Sequence, residues 1–133
     1  MNAEMDLARQ WLAKAENDLL NVDNNLKSEI VPYDTVCFHC QPAAEKLLKA
    51  YLVARGLAPP FTHDLLLLLE VILPHCTDAE RLRDDLALLM PYAVGMRYPD
   101  ESFAPTREDA LEARQAAQDV LEWLKFHLEG LFL

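Results

Sequence analysis

The chain has 133 residues, 52% hydrophobic and 26% charged with only three glycines, which excludes disordered, collagen-like and low-complexity classes and supplies apolar surface for one core. Twelve Lys and Arg stand against 22 Asp and Glu, and the resulting net charge of −10 opposes broad binding to a DNA backbone. The apolar run Leu65 to Leu69, continuing past Glu70 to Leu73, is far below the roughly 20 residues that span a bilayer. No charged segment followed by an apolar stretch opens the chain, so a cytoplasmic protein without membrane contact is expected.

Ala8, Leu12, Ala15, Leu19, Val22 and Leu26 recur at spacings of four and three, which predicts a long first helix with a narrow apolar seam. Pro32 is expected to stop it. Asp34 or Thr35 can cap a second helix running through Cys40, Ala44, Leu47, Leu48 and Tyr51 to Gly56, a residue suited to a C-terminal stop. Pro59 and Pro60 enforce a break. A third helix starts near Thr62 and is apolar on nearly every side, which calls for burial within the domain or against a partner, and Pro74 closes it. Thr77 with Glu80 reads as a capping box for a fourth helix through Leu82, Leu86, Leu89 and Met90, ended or kinked at Pro91. The stretch from Gly95 to Pro105 reads as an ordered loop. Thr106 then caps a last helix with the seam Ala110, Ala113, Ala117, Val120, Leu124 and Leu128. No segment alternates with period two, so the class is all-α: an up-and-down helical bundle of four to five helices, forming a single domain over residues 1–133.

The charge is unevenly placed. Residues 35–63 hold one acid, Glu45, against Lys46, Lys49 and Arg55, and are the one net-positive stretch. On the second helix Gln41, Glu45 and Lys49 fall at i, i+4 and i+8, an amide, a carboxylate and an ammonium on one stripe. An exposed Glu45–Lys49 pair that steadies the helix is one reading of that stripe, and a polar ligand site is the other.

The cysteines are three, with no pairing framework expected. Cys37 and Cys40 form a Cys-x-x-Cys without the preceding strand that a redox motif requires. Joined by His75 and Cys76 they have a spacing compatible with zinc, but small buried hydrophobes on apolar stripes are the favoured reading. No metal and no cofactor is expected. Trp11 and Trp123 sit beside the two seams and read as packing residues.

The run Phe38-His39-Cys40-Gln41-Pro42-Ala43-Ala44-Glu45-Lys46-Leu47-Leu48-Lys49-Ala50-Tyr51-Leu52 resembles the second helix of the HEPN family, nucleotide-binding bundle domains of prokaryotes and higher eukaryotes. Ala8 to Asp18-Leu19 resembles that family's first helix, Thr62-His63-Asp64-Leu65 the start of its third, and Arg97-Tyr98-Pro99 its loop before the last helix. The resemblance implies a bundle that forms a homodimer, often beside a minimal nucleotidyltransferase in a two-component, toxin–antitoxin-like pair. It also implies a nucleotide- or RNA-phosphate site at Lys46, Lys49, Arg97 and Tyr98, with Gln41, Glu45 and His63 beside them. Family members that cleave RNA without metal carry Arg-x4-6-His. Here Arg97 meets no histidine until His127, and Arg55 and His63 are separated by seven residues, so no catalytic residue is assigned and a non-standard pair such as Arg97 with His63 stands as the enzymatic alternative. Pro42 departs from the family pattern and predicts a helix that kinks or begins near Gln41.

Overall fold

A computed structural model describes residues 2–93 and 104–133. Five α-helices are found among them and no strand: α1 (Ala3–Leu26), α2 (Tyr33–Ala54), α3 (Leu65–Ile72), α4 (Arg83–Leu89) and α5 (Arg107–His127), with short 3-10 segments at Thr77–Leu82, Met90–Ala93 and Glu129–Phe132. The all-α helical bundle is therefore realised. None of these helices is long and apolar enough to cross a membrane.

Helix ends follow local chemistry. The Asn2 side chain accepts hydrogen bonds from the Glu4 and Met5 N–H groups and starts α1. Thr106 accepts from the Asp109 N–H while the Asp109 carboxylate accepts from the Thr106 N–H, a complete capping box for α5. At the end of α2, Gly56 has φ +78 and its N–H reaches Val53, while the Leu57 N–H reaches Leu52. This double closure needs a left-handed residue, which glycine supplies without strain.

Several boundaries differ from expectation. α1 ends at Leu26, well before Pro32, and Pro32 instead occupies the cap position of α2. A proline there is tolerated because the first-turn N–H groups have no helical acceptor. Asp34 and Thr35 lie within the first turn. α2 runs without interruption through Pro42, so the helix does not begin near Gln41. α3 starts at Leu65, capped by Asp64 rather than near Thr62. The Thr77–Glu80 capping box is absent: Glu80 turns to Arg83, whose guanidinium also binds Glu70 of α3 at 2.8 Å. The Gly95–Pro105 loop falls mostly outside the described residues.

α2 is the central helix, with 14 of its 22 residues buried. α1 runs antiparallel to it: Glu4 lies by Gly56, Trp11 by Lys49, and Asp18 by His39 and Lys46. α1 is antiparallel to α5 as well, since Arg9 reaches the Gly130 carbonyl and Asp23 binds Arg114 at 2.8 Å. α2 and α5 therefore run parallel, and Tyr51 meets Trp123 between them at 4.9 Å. The small side chains of Ala8, Ala15, Ala44, Ala113 and Ala117, all fully buried, let the three long axes approach closely. The third helix finds most of its burial within the chain: Leu65, Leu68, Leu69 and Ile72 enter the core, and Leu67 stays half-exposed.

α4 packs on α5 beside a cleft of about 780 Å³ lined by Asp85, Asp119, Trp123 and Phe126. Burial, then the nearby Asp119 carboxyl, pushes the Asp85 carboxyl up to about 6 from an ordinary 3.8. The folded state thus binds the Asp85 proton more tightly than the unfolded chain does. Its contribution to stability is complete below about pH 4 and is lost as pH rises through about 6. Asp85→Asn should raise the melting temperature at about pH 7 and flatten the decline between about pH 4 and about pH 6, read by circular dichroism.

Candidate functional site

The polar residues of the α1–α2 seam are sequestered in the core rather than spread over the surface. Asp18, Gln41, Glu45 and Lys49 are the buried polar side chains among the described residues, each 9% exposed or less. An isolated charge at such a position costs several kcal/mol, so pairing is expected and is observed.

Two carboxylates organise the seam. Asp18, contributed by α1, accepts from Lys46 Nζ at 2.6 Å and from His39 Nδ1 at 3.0 Å. Glu45, on α2, accepts from Lys49 Nζ at 2.8 Å and from His63 Nδ1 at 2.8 Å. Gln41 Nε2 donates to the His63 carbonyl at 2.9 Å, fixing the backbone that carries the imidazole. A carboxylate can only accept, so in each pair Nδ1 holds the proton and the other nitrogen, Nε2, is left to act as base or, once protonated, as donor. The two imidazoles differ in access: the His63 side chain is 80% exposed and that of His39 is 25% exposed.

The helical stripe Gln41, Glu45, Lys49 therefore exists, with His63 added to it. The Glu45–Lys49 pair is not exposed, however: both side chains are 8% exposed. Nor do the α2 lysines form an unopposed patch. Asp18 comes in from α1 to neutralise Lys46, and Glu45 neutralises Lys49. The charges of these two lysines and two carboxylates sum to zero. Arg55 lies at the far end of α2, 5.3 Å over the Tyr51 ring. Arg97 and Tyr98 lie outside the described residues.

Next to Lys49 an apolar groove of about 490 Å³ opens between α1, the end of α2 and the Pro59–Pro60 segment. Leu7, Trp11, Val53 and Phe61 line it, with Lys14 and Lys49 among its charged residues. Lys49 Nζ stands 5.4 Å from the Trp11 ring centroid, within cation–π range. The Phe61 ring is fully exposed, two residues before His63.

The cysteines do not assemble. Cys37 and Cys40 are fully buried on α2, where burial pushes their thiols up to about 11 and about 12. Cys76 lies beside Tyr51, and 14 helical residues separate Cys37 from Tyr51, roughly 21 Å at 1.5 Å per residue. That separation removes the zinc reading, and no group of three His, Cys, Asp or Glu able to hold a metal occurs among the described residues.

Asp18 and His39 were not anticipated as site residues. Asp18 had a readable signal: it sits three residues after Ala15 and four before Val22, a carboxylate on the buried stripe itself. Leu19, expected there, is half-buried. His39 had no such signal, because its partner is 21 residues away in sequence.

A bundle of this kind, with a central helix whose polar stripe is locked by carboxylates against its neighbours, belongs to a recognisable class. Residues 8–127 match the family model of the HEPN domain, and the chain is a member of that family. It is similar to the crystal structure of TT1696 from Thermus thermophilus, with 34% identity, a TM-score of 0.76, and coverage of 89% of this chain and 95% of that one. No curated protein matches.

Removing one member of the buried pair leaves the other uncompensated. Glu45→Ala should destabilise the fold by about 3 kcal/mol or more, measured by urea unfolding, whereas Glu45→Leu combined with Lys49→Met should recover most of that loss.

Proposed function

We propose that the protein is a HEPN-type module that binds a nucleotide or an RNA phosphate at the face shared by α2, His63 and the aromatic groove. The observation that carries this reading is the contiguity of Lys49, Glu45 and His63 with the groove lined by Trp11 and Phe61. Aromatic faces accept a base by stacking, while an imidazole whose Nδ1 is occupied offers Nε2 as a donor to a phosphate oxygen only in its protonated form. Lys46, Lys49 and Arg97 supply cationic character, Arg97 as a bidentate grip, with Tyr98 as a further ring. Gln41 and Glu45 hold the geometry. The phosphate has to compete with Asp18 and Glu45 for the lysines, so affinity depends on the imidazoles and on Arg97.

Calorimetric titration with nucleoside mono-, di- and triphosphates tests the site. Binding should be weakened about tenfold by His63→Ala. No heat with any of them at protein concentrations well above micromolar would remove the proposal.

The Glu45–His63 dyad favours a second reading, a metal-independent ribonuclease. A carboxylate-oriented imidazole is the arrangement that proton transfer at a ribose hydroxyl requires, with Arg97 at the phosphate. RNA should then be cut in the presence of chelator by the native protein and not by His63→Ala; intact RNA after long incubation would exclude it.

Partnership with a nucleotidyltransferase in a two-component, toxin–antitoxin-like system, self-association as a homodimer and a cytoplasmic location complete the proposal, on the strength of the family resemblance. Leu20, Ile30 and Phe126 are large apolar side chains left exposed, which supports association. Light scattering should give twice the chain mass.

A further inference from the structure

Away from the α1–α2 seam, the loop after α3 brings Cys76 to the end of α5. Cys76 Sγ lies 3.9 Å from both ring nitrogens of His127, and His127 Nε2 lies 2.8 Å from Asp78 Oδ2. The carboxylate can only accept, so Nε2 carries the proton of the neutral ring and Nδ1 offers its lone pair on the side of the thiol. The sulfur stands at equal distance from the two nitrogens, a longer and looser arrangement than a committed hydrogen bond, as resting catalytic sites often show. Position adds to this. His127 is the last residue of α5, where the helix dipole favours the imidazolium that forms when Nδ1 takes a proton. Trp123 holds the imidazole from the core side, ring centroids 5.3 Å apart, and Tyr51 borders the thiol.

We propose that Cys76, His127 and Asp78 form a nucleophilic thiol site that exchanges with small-molecule disulfides. His127 Nδ1 accepts the Cys76 proton. The sulfur then attacks one sulfur of the disulfide, a new S–S bond forms to Cys76, and the old S–S bond breaks. The departing thiolate takes the proton back from His127, so the ring ends neutral. Asp78 is the positioning residue: it fixes the tautomer and balances the transient imidazolium. The site is selective within this chain, because Cys37 and Cys40 are fully buried whereas Cys76 is half-buried at the surface. A mixed disulfide here adds bulk where the Thr77–Leu82 segment meets the end of α5, so the modification couples redox state to the packing of α4 against α5.

Incubating the native protein with oxidised glutathione and mapping the adducts by mass spectrometry tests this. The mixed disulfide should form at Cys76 with Cys37 and Cys40 unmodified, and at neutral pH its rate should fall about tenfold or more in His127→Gln. Asp78→Asn, at a largely exposed position that leaves the imidazole in place, should slow the same step and also change its pH profile. Absence of the Cys76 adduct, equal labelling of the buried thiols, or a rate and pH profile unchanged in Asp78→Asn would each overturn the proposal.

Discussion

The arrangement depends on a pair of carboxylates, Asp18 and Glu45, buried along the central helix and obliged to find cations there. Burial of a lone carboxylate is too costly to tolerate, and each is met by a lysine and an imidazole. The consequence is positional. Asp18 at Lys46 and His39, together with Trp11 at Lys49 and Glu4 at Gly56, sets α1 antiparallel to α2 in one register, and Glu45 can reach His63 only if the chain after Gly56 folds back along α2. The pairs therefore specify how the bundle is assembled, while the alanine-rich contacts around them allow the axes close enough for the pairs to form.

The same pairs set the chemistry of the surface above them. In a protein of net charge −10, residues 35–63 carry the one local excess of cations along the chain, and folding reduces it further by bringing Asp18 to Lys46. What remains is a face with two imidazoles whose Nδ1 atoms are held by carboxylates, one of them largely exposed beside an aromatic groove. The far end of α5 repeats the motif with different partners, Asp78 orienting His127 against a thiol.

The helices were legible because their signals are local. The Ala110 to Leu124 seam, the Thr106 cap and the Gly56 stop are each settled within one or two turns of chain. Local signals also misled where two of them competed. Thr77 and Glu80 have capping-box spacing, yet Glu80 forms stronger contacts with Arg83, a charged donor three residues on. Pro42 deprives Phe38 of one intrahelical donor, yet α2 continues through it as one helix with 14 of its 22 residues buried against its neighbours.

The sequence by itself determined the all-α class, the family and the stripe of Gln41, Glu45 and Lys49, because periodicity and motif order are properties of neighbouring residues. The tertiary structure alone decided that this stripe is buried, that Asp18 cancels Lys46, that His39 and His63 are held by carboxylates, and that Cys76 faces His127 rather than the other cysteines. The physical reason is range: charge cancellation and imidazole orientation depend on groups that lie 18 to 51 residues apart in the chain and meet only when particular helix faces pack.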